Sequence, residues 1–320
     1  MKNGGLNGFD PDDNKMIRYD ELKSSTCAGI VLYNPDIKKL KRNIDSLVSQ
    51  VNHIVCIDNA SVNRNDIYQL LSTYSNVSII TNEKNKGIAY ALNQVLRFAD
   101  QNGYKWYISM DQDSCCSETL VREYANNMPD KDNVAILSPY VLNNGKISLE
   151  EYRNNTLPLI EEINDPIDCI TSGSLNSVSV AKKIKGYNNK LFIDCVDVDF
   201  NIRAMLLHHK IYRINAAYMI QEMGVAKEVR FIQTLYRVTG KNVFRRLRFT
   251  PVYSDYRLYF ISRNSAYIYG KYGKLAGKRM APLWMKMQYL YYFLTYPLKR
   301  NRLLMLKAIL KGYKDCKGMA

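Results

Sequence analysis

Short apolar runs alternate with amphipathic stretches through the first half of the chain. Residues 27–33 (CAGIVLY), 53–58 (HIVCID), 77–81 (VSIIT) and 104–110 (YKWYISM) are rich in β-branched and aromatic side chains and read as strands. Between them, residues 36–51, 64–74 and 88–101 read as helices. In the last of these, Ile88, Ala91, Leu92, Val95, Phe98 and Ala99 repeat at helical spacing. Further strands are expected at 134–138 and 211–216. Strands that are apolar throughout, each followed by a helix, imply a mostly parallel sheet with helices on both faces, a Rossmann-like α/β fold. After about residue 227 the pattern becomes Tyr-, Leu- and Arg-rich and helical, with no clear strand. Three segments follow: an N-terminal extension over 1–25, a catalytic-sized α/β domain over 26–226 and a helical region over 227–320.

Charge sharpens that division. Residues 1–226 hold 24 Lys and Arg against 27 Asp and Glu, a net of −3, whereas residues 227–320 hold 21 against 3, a net of +18. The same C-terminal segment holds 18 of the 36 aromatic residues. A basic, aromatic tail on a near-neutral body seeks a polyanion, either nucleic acid or an anionic membrane surface. A hydrophobic content of 47% with 23% charged residues excludes a wholly disordered or fibrous chain. No apolar run reaches the ~18 residues of a membrane span. The polar, acidic start does not resemble a secretory signal. Seven cysteines without a CxxC pair are expected as reduced thiols in a cytoplasmic protein.

Ligands of open parallel sheets gather at the C-terminal ends of the strands. Those ends here read Tyr33-Asn34-Pro35-Asp36, Asp58-Asn59-Ala60-Ser61, Asn82 through Gly87, and Asp111-Gln112-Asp113-Ser114. Polar loop formers also simply terminate strands. Asp111-Gln112-Asp113 is the sharpest of these signals, because two carboxylates at a strand end can hold a hard cation against a diphosphate. A second cluster spans residues 191–203, with Asp194, Asp197 and Asp199 followed by Arg203. With a helix starting at Asp199, Arg203 pairs with it one turn on, and Asp197 or Asp194 faces a cleft as a general base. The alternative is an acidic helix start favoured by the macrodipole. Only His53, His208 and His209 exist, and no Ser-His-Asp or Cys-His arrangement emerges, so a base is expected to be a carboxylate. Residues 171–174 (TSGS) and Gly186-Tyr187 read as loops beside the cleft, or as plain turns.

Taken in order, these pieces resemble glycosyltransferase family 2 proteins of the GT-A fold, in the rhamnosyltransferase-like branch. The residues that carry the resemblance are Tyr33-Asn34-Pro35-Asp36, Asp58-Asn59-Ala60-Ser61, and Asn85 through Ala89 with Ala91-Leu92-Asn93. They continue with Asp111 through Ser114, 171–174, Gly186-Tyr187, 191–203, and Arg257 with Arg263-Asn264. The resemblance implies an inverting transferase that moves a sugar from a nucleotide donor, dTDP-L-rhamnose, to a saccharide acceptor. The acceptor it implies is polyprenyl-diphosphate-linked, in bacterial O-antigen or capsule synthesis. It implies that Asp113, with Asp111, holds a divalent cation (Mg2+ or Mn2+), and that Asp111 also lies near the ribose. Asp58 would recognise the pyrimidine base, with Tyr33, Asn34, Asn59, Asn85, Gly87, Asn93 and Gln112 lining the nucleotide-sugar site. Ser172, Gly173 and Arg263 would lie toward the acceptor. Asp197 aligns with the catalytic base, beside Asp194, and Asp199 with Arg203 forms the carboxylate–arginine pair. One departure is Gln221, where the family often has a metal-binding histidine; an amide is a weaker ligand for transition metals.

The tail is expected to attach the protein peripherally to the cytoplasmic face of the membrane, with no nucleic acid bound; packing on the catalytic domain or a homodimer is the other use of those helices. Two other functions fit parts of the pattern. A nucleotidyltransferase shares the acidic strand end but opens with a glycine- and arginine-rich phosphate loop that is missing here. A nucleic-acid-binding protein explains the tail but not the acidic loops.

Overall fold

The computed structural model describes residues 11–130, 132–143, 147–222, 224, 226–297 and 299–319. The chain opens with α1 (Pro11–Ser24), then β1 (Thr26–Leu32), α2 (Ile37–Leu47), β2 (His53–Asp58), α3 (Arg64–Leu71), β3 (Val77–Thr81), α4 (Ile88–Gln101) and β4 (Trp106–Asp111). A hairpin-sized β5 (Cys115–Cys116), α5 (Leu120–Asn127), β6 (Val134–Asn143), α6 (Leu149–Arg153), β7 (Ile160–Glu162), β8 (Ser174–Ser177), α7 (Val178–Lys183), α8 (Val196–Leu206) and β9 (Lys210–Gln221) follow. The remainder is β10 (Ala226–Glu228), α9 (Arg230–Thr239), α10 (Asn242–Leu247), β11 (Phe249–Pro251), α11 (Asp255–Tyr272), α12 (Pro282–Thr295) and α13 (Arg302–Asp315).

The main sheet runs β3-β2-β1-β4-β8-β6-β9-β5, with β7 on β9. Strands β1 to β4 are parallel, as their apolar sequences and helical crossovers dictate. Helix α2 shows the local logic. Asp36 caps it by accepting from the backbone N–H groups of Lys38 and Lys39 at 2.9 and 3.1 Å, and Leu40, Ile44 and Leu47 bury its inner face. Two apolar cores lie on the faces of the sheet, one centred on Val55, Leu92 and Tyr107, the other on Ile30, Ile44 and Ile108.

The structure adds two details and corrects two expectations. Residues 171–173 form the expected turn, and β8 begins at Ser174 and lies antiparallel between β4 and β6. Its sequence, Ser-Leu-Asn-Ser, has no strand signature, yet all four residues are buried. Asn176 supplies the hydrogen bonds that apolar neighbours cannot, donating to the Ser109 hydroxyl at 3.1 Å and the Ser174 carbonyl at 2.8 Å. β8, with the short β5 and β7, thus adds antiparallel pairs to the expected mostly parallel sheet. Next, the region after 227 does contain strands, a short antiparallel ribbon of β10 with β11. Within the extension 1–25, residues 11–24 form α1, and Leu22 is buried in the core. Residues 1–10 lie outside the described residues. Last, α8 starts at Val196 rather than Asp199, so Asp197 sits in its first turn.

The C-terminal helices share the core of the α/β body. Ile268 of α11 is fully buried in the cluster that contains Val55 and Leu92. A small cluster of Leu258, Tyr292, Tyr296, Met305 and Ile309 joins α11, α12 and α13.

Candidate functional site

The four strand-end loops are knitted together by amide side chains. Gln112, after β4, accepts from the Tyr33 backbone N–H at 2.8 Å and donates to the Tyr33 carbonyl at 3.3 Å, mimicking a strand pair. Asn34 is left-handed (φ 49°); its side-chain oxygen accepts from the Val62 N–H at 2.8 Å, and its own N–H donates to the Ser61 hydroxyl at 2.9 Å. Asn59 donates to Asn85 at 2.9 Å and to the Gly87 carbonyl at 3.2 Å, while accepting from the Lys86 N–H at 3.1 Å. These residues, expected to line a nucleotide-sugar site, tie the four loops to one another through hydrogen bonds. The Tyr33 side chain is half exposed beside them.

Other expected residues are placed differently. Asp58 is fully buried, one oxygen accepting from the Ser61 N–H at 2.9 Å and the other from Arg64 Nε at 3.0 Å, so Arg64 is the outward member of that pair. Asn93 spends its amide on the neighbouring loop, donating to the Tyr187 carbonyl at 2.8 Å and accepting from the Tyr187 N–H at 2.7 Å. It orients the 186–189 loop rather than tying the four loops. Gly87 is required by a close approach. At φ 85°, a Cβ there would lie 2.5 Å from the Phe192 carbonyl oxygen, which accepts from the Ile88 N–H at 2.7 Å. That contact joins the β3 loop to the acidic segment. Gly173 (φ 75°) is buried under β9, and its carbonyl accepts from the Tyr124 hydroxyl at 2.7 Å. Ser172 is buried, its hydroxyl accepting from the Asp111 N–H at 3.0 Å.

The acidic segment ahead of α8 is the most constrained stretch of the molecule. Asp194 and Cys195 are consecutive left-handed residues, φ 65° and 60°, a conformation costing about 1–2 kcal/mol each without glycine. Helix α11 holds them there. Asn264, fully buried, donates to the carbonyls of Ile193 at 2.7 Å and Asp194 at 3.0 Å. Arg257 grips the Asp194 carboxylate with Nη2 at 3.0 Å and Nε at 3.3 Å, and Arg263 donates to the Lys190 carbonyl at 2.8 Å. Further along, Asp199 is fully buried, accepting from Arg203 Nε at 2.7 Å and the Tyr272 hydroxyl at 2.8 Å, with Lys271 at 3.7 Å.

Of the three carboxylates, two are therefore occupied by cations. Asp197 is not. Its carboxylate accepts from backbone N–H groups, that of Val198 at 2.9 Å, and among the described residues it has no ion pair. Burial, with the nearby Asp194 and Asp111 charges adding to it, raises its pKa to about 6, despite the helix start that favours the anion. Asp194 is also raised by burial, with Arg257 opposing. Asp111 is raised by burial and by the neighbouring Asp113, with Gln221 Nε2 at 3.4 Å and Arg257 acting the other way.

The Asp111 and Asp113 carboxylates are hard oxygen donors of the kind that suit Mg2+ or Mn2+, while Gln221 turns its Nε2 donor toward Asp111. Among the described residues no three His, Cys, Asp or Glu side chains form a complete ligand set. A cation held by Asp111 and Asp113 therefore needs further oxygens from a bound diphosphate or water. Sequence reasoning assigned no site role to Arg257, Asn264 or Asn43, which donates to the Asp111 carbonyl. Arg257 and Asn264 enter the sequence reading only as part of the family resemblance, and Asn43 carries no signal there.

The glycosyl transferase family 2 model matches residues 27–185. The chain is 26% identical over 256 residues to the dTDP-rhamnosyl transferase RfbF of Shigella flexneri, covering 76% of this chain and 79% of that one. Among solved structures it is similar to GalNAc-T7 with UDP, GalNAc and Mn2+, at 15% identity and a TM-score of 0.48, over 62% of this chain and under half (43%) of that one. It is also similar to S. aureus TarS 1–349, at 12% identity and a TM-score of 0.49, over 92% of each chain. The family 2 match over residues 27–185 and the similarity to a dTDP-rhamnosyl transferase together support a glycosyltransferase.

Proposed function

We propose that this family 2 glycosyltransferase moves L-rhamnose from dTDP-L-rhamnose, with inversion, to a saccharide acceptor that is polyprenyl-diphosphate-linked and destined for a bacterial surface polysaccharide. The observation that carries the mechanism is the unpaired, raised carboxylate of Asp197 among neighbours already held by cations. In this reading Asp197 accepts the acceptor hydroxyl proton as that oxygen attacks the anomeric carbon, and the bond to the diphosphate breaks on the opposite face. A single displacement inverts the centre. A pKa of about 6 leaves the base ionised at neutral pH yet basic enough to work. Asp194 and Arg257 shape the floor of the cleft, while Asp199 and Arg203 anchor α8. The half-exposed Tyr33 side chain offers a face to the nucleotide.

Asp113 and Asp111 would hold a divalent cation, which when bound neutralises charge on the departing diphosphate. The test is product formation with nucleotide sugars, with and without Mg2+ or Mn2+. Asp113→Ala is expected to abolish transfer while leaving the melting temperature unchanged. Full activity in Asp113→Ala, or in excess chelator, removes the cation from the reading. Preference for a UDP-sugar over dTDP-L-rhamnose replaces the donor but keeps the reaction. Turnover of nucleoside triphosphates instead would mean nucleotidyl transfer.

A further inference from the structure

Helices α12 and α13 each carry two apolar faces. The inner faces, with Tyr292, Met305 and Ile309, are buried against α11. That contact is firm: the Ser262 hydroxyl donates to the Ile309 carbonyl at 2.7 Å, and a Cβ on Gly312 would collide with the Tyr259 carbonyl. The outer faces are uncovered. Leu283, Met287, Leu290 and Leu294 follow one another at helical spacing on α12, and Leu303 and Leu310 do so on α13; these six are 57–72% exposed. Packing on the body is thus satisfied by one face and leaves the other bare, more exposed apolar surface than isolated surface leucines explain.

Charge decides what can cover it. Residues 256–314 contain 13 Lys and Arg and no Asp or Glu. A second copy of the chain would bring like charges together around the apolar stripes, whereas an anionic surface complements them. Trp284 is half exposed on α12 and Tyr313 on α13, the residue types that favour a headgroup layer. Among the described residues no helix is long and apolar enough to cross a membrane. A helix pair lying in the interface, its bare leucines turned to the bilayer and its basic residues to the headgroups, fits that exposure and charge.

We propose that the outer faces of α12 and α13 form a docking surface for an anionic lipid bilayer, with the leucines seated among the headgroups and Lys286 and Lys307 against lipid phosphates. The bare faces exist whatever the acceptor, and docking through them rests on the proposed function only in bringing the enzyme to the plane of a lipid-linked substrate. Because α13 is packed onto α11, removing the tail would open the core, so the test uses point substitutions in the full chain.

The experiment is co-sedimentation with vesicles of phosphatidylglycerol and phosphatidylethanolamine, against vesicles of phosphatidylcholine alone, at low and high salt. The wild-type chain is expected to sediment with the anionic vesicles at low salt and to be released by high salt. Leu290→Glu and Leu303→Glu should each weaken binding about tenfold or more. Lys286→Ala and Lys307→Ala should each weaken it about fivefold, the equivalent of about 1 kcal/mol per basic residue. Nucleotide-sugar binding and melting temperature should not change in any of the four. Recovery of the wild-type chain in the supernatant with anionic vesicles at low salt overturns the proposal. So does equal binding to phosphatidylcholine, or a dimer in analytical ultracentrifugation that the leucine variants dissolve. Vesicle binding is read without sugar transfer, so loss of one leaves the other standing.

Discussion

The acidic segment before α8 and the outer faces of α12 and α13 stand at opposite ends of side-chain engagement. In the first, nearly every polar group is held: Asp194 by Arg257, Asp199 by Arg203 and Tyr272, and the Ile193 and Asp194 carbonyls by Asn264. The second presents leucines that face solvent. Both regions rest on the same helix, α11, whose one side grips the acidic segment and whose other side receives α13. The contrast separates two kinds of function. Chemistry needs a group held still in an unfavourable backbone conformation, which many contacts must sustain. Docking to a fluid surface needs only exposed chemistry of the right sign and polarity.

The steepest consequence lies at the one ungripped group of the acidic segment. Asp197→Asn should lower kcat by about 10²–10⁴ with nucleotide-sugar binding nearly preserved, read in steady-state kinetics and in a separate binding titration. If Asp194→Asn produces that loss and Asp197→Asn does not, the two roles are exchanged. Stability should respond most to the neighbouring pair. Asp199→Ala leaves the Arg203 guanidinium without its partner and should cost about 3–5 kcal/mol in denaturant unfolding. A loss below about 1 kcal/mol would mean that the pair is not anchoring α8.

Asn264 tests whether contacts sustain the left-handed pair. Asn264→Ala should lower kcat about tenfold with little change in the donor KM, because the segment that carries Asp197 loosens while the four strand-end loops do not. Adding Cys195→Gly should restore part of that loss, since glycine adopts the left-handed backbone without strain. No recovery in the double variant would show that Asn264 acts through general packing alone.

The pH dependence follows from the direction of the Asp197 shift. The group must be ionised to accept a proton, so kcat/KM should rise with pH and level off above about 6. Because the folded carboxyl holds its proton more tightly than the unfolded one, stability from this group declines as pH rises from about 4 through about 6. Asp197→Asn should therefore be more stable than the wild type at pH 7 and comparable at pH 4. The smallest effect belongs to the open region. Leu290→Glu should change unfolding stability by no more than about 0.5 kcal/mol, since its side chain is already mostly in water.

Local pattern was enough for the parallel half of the sheet, for the polar strand ends and for the two acidic clusters, because alternation of apolar runs and helical periodicity are written in consecutive residues. It was enough, too, to mark the tail as basic and helical. It could not show β8, whose Ser-Leu-Asn-Ser strand forms only because β4 and β6 enclose it and Asn176 finds partners on β4. Nor could it choose among Asp194, Asp197 and Asp199, three like residues within six positions. Their fates depend on Arg257, Asn264 and Tyr272, about 63 to 73 residues further along the chain, which α11 returns to the same place. A carboxylate's basicity is set by burial and by the charges around it. Those are properties of the folded neighbourhood, so which aspartate remains free to take a proton was decided by the packing of α11 against the acidic segment.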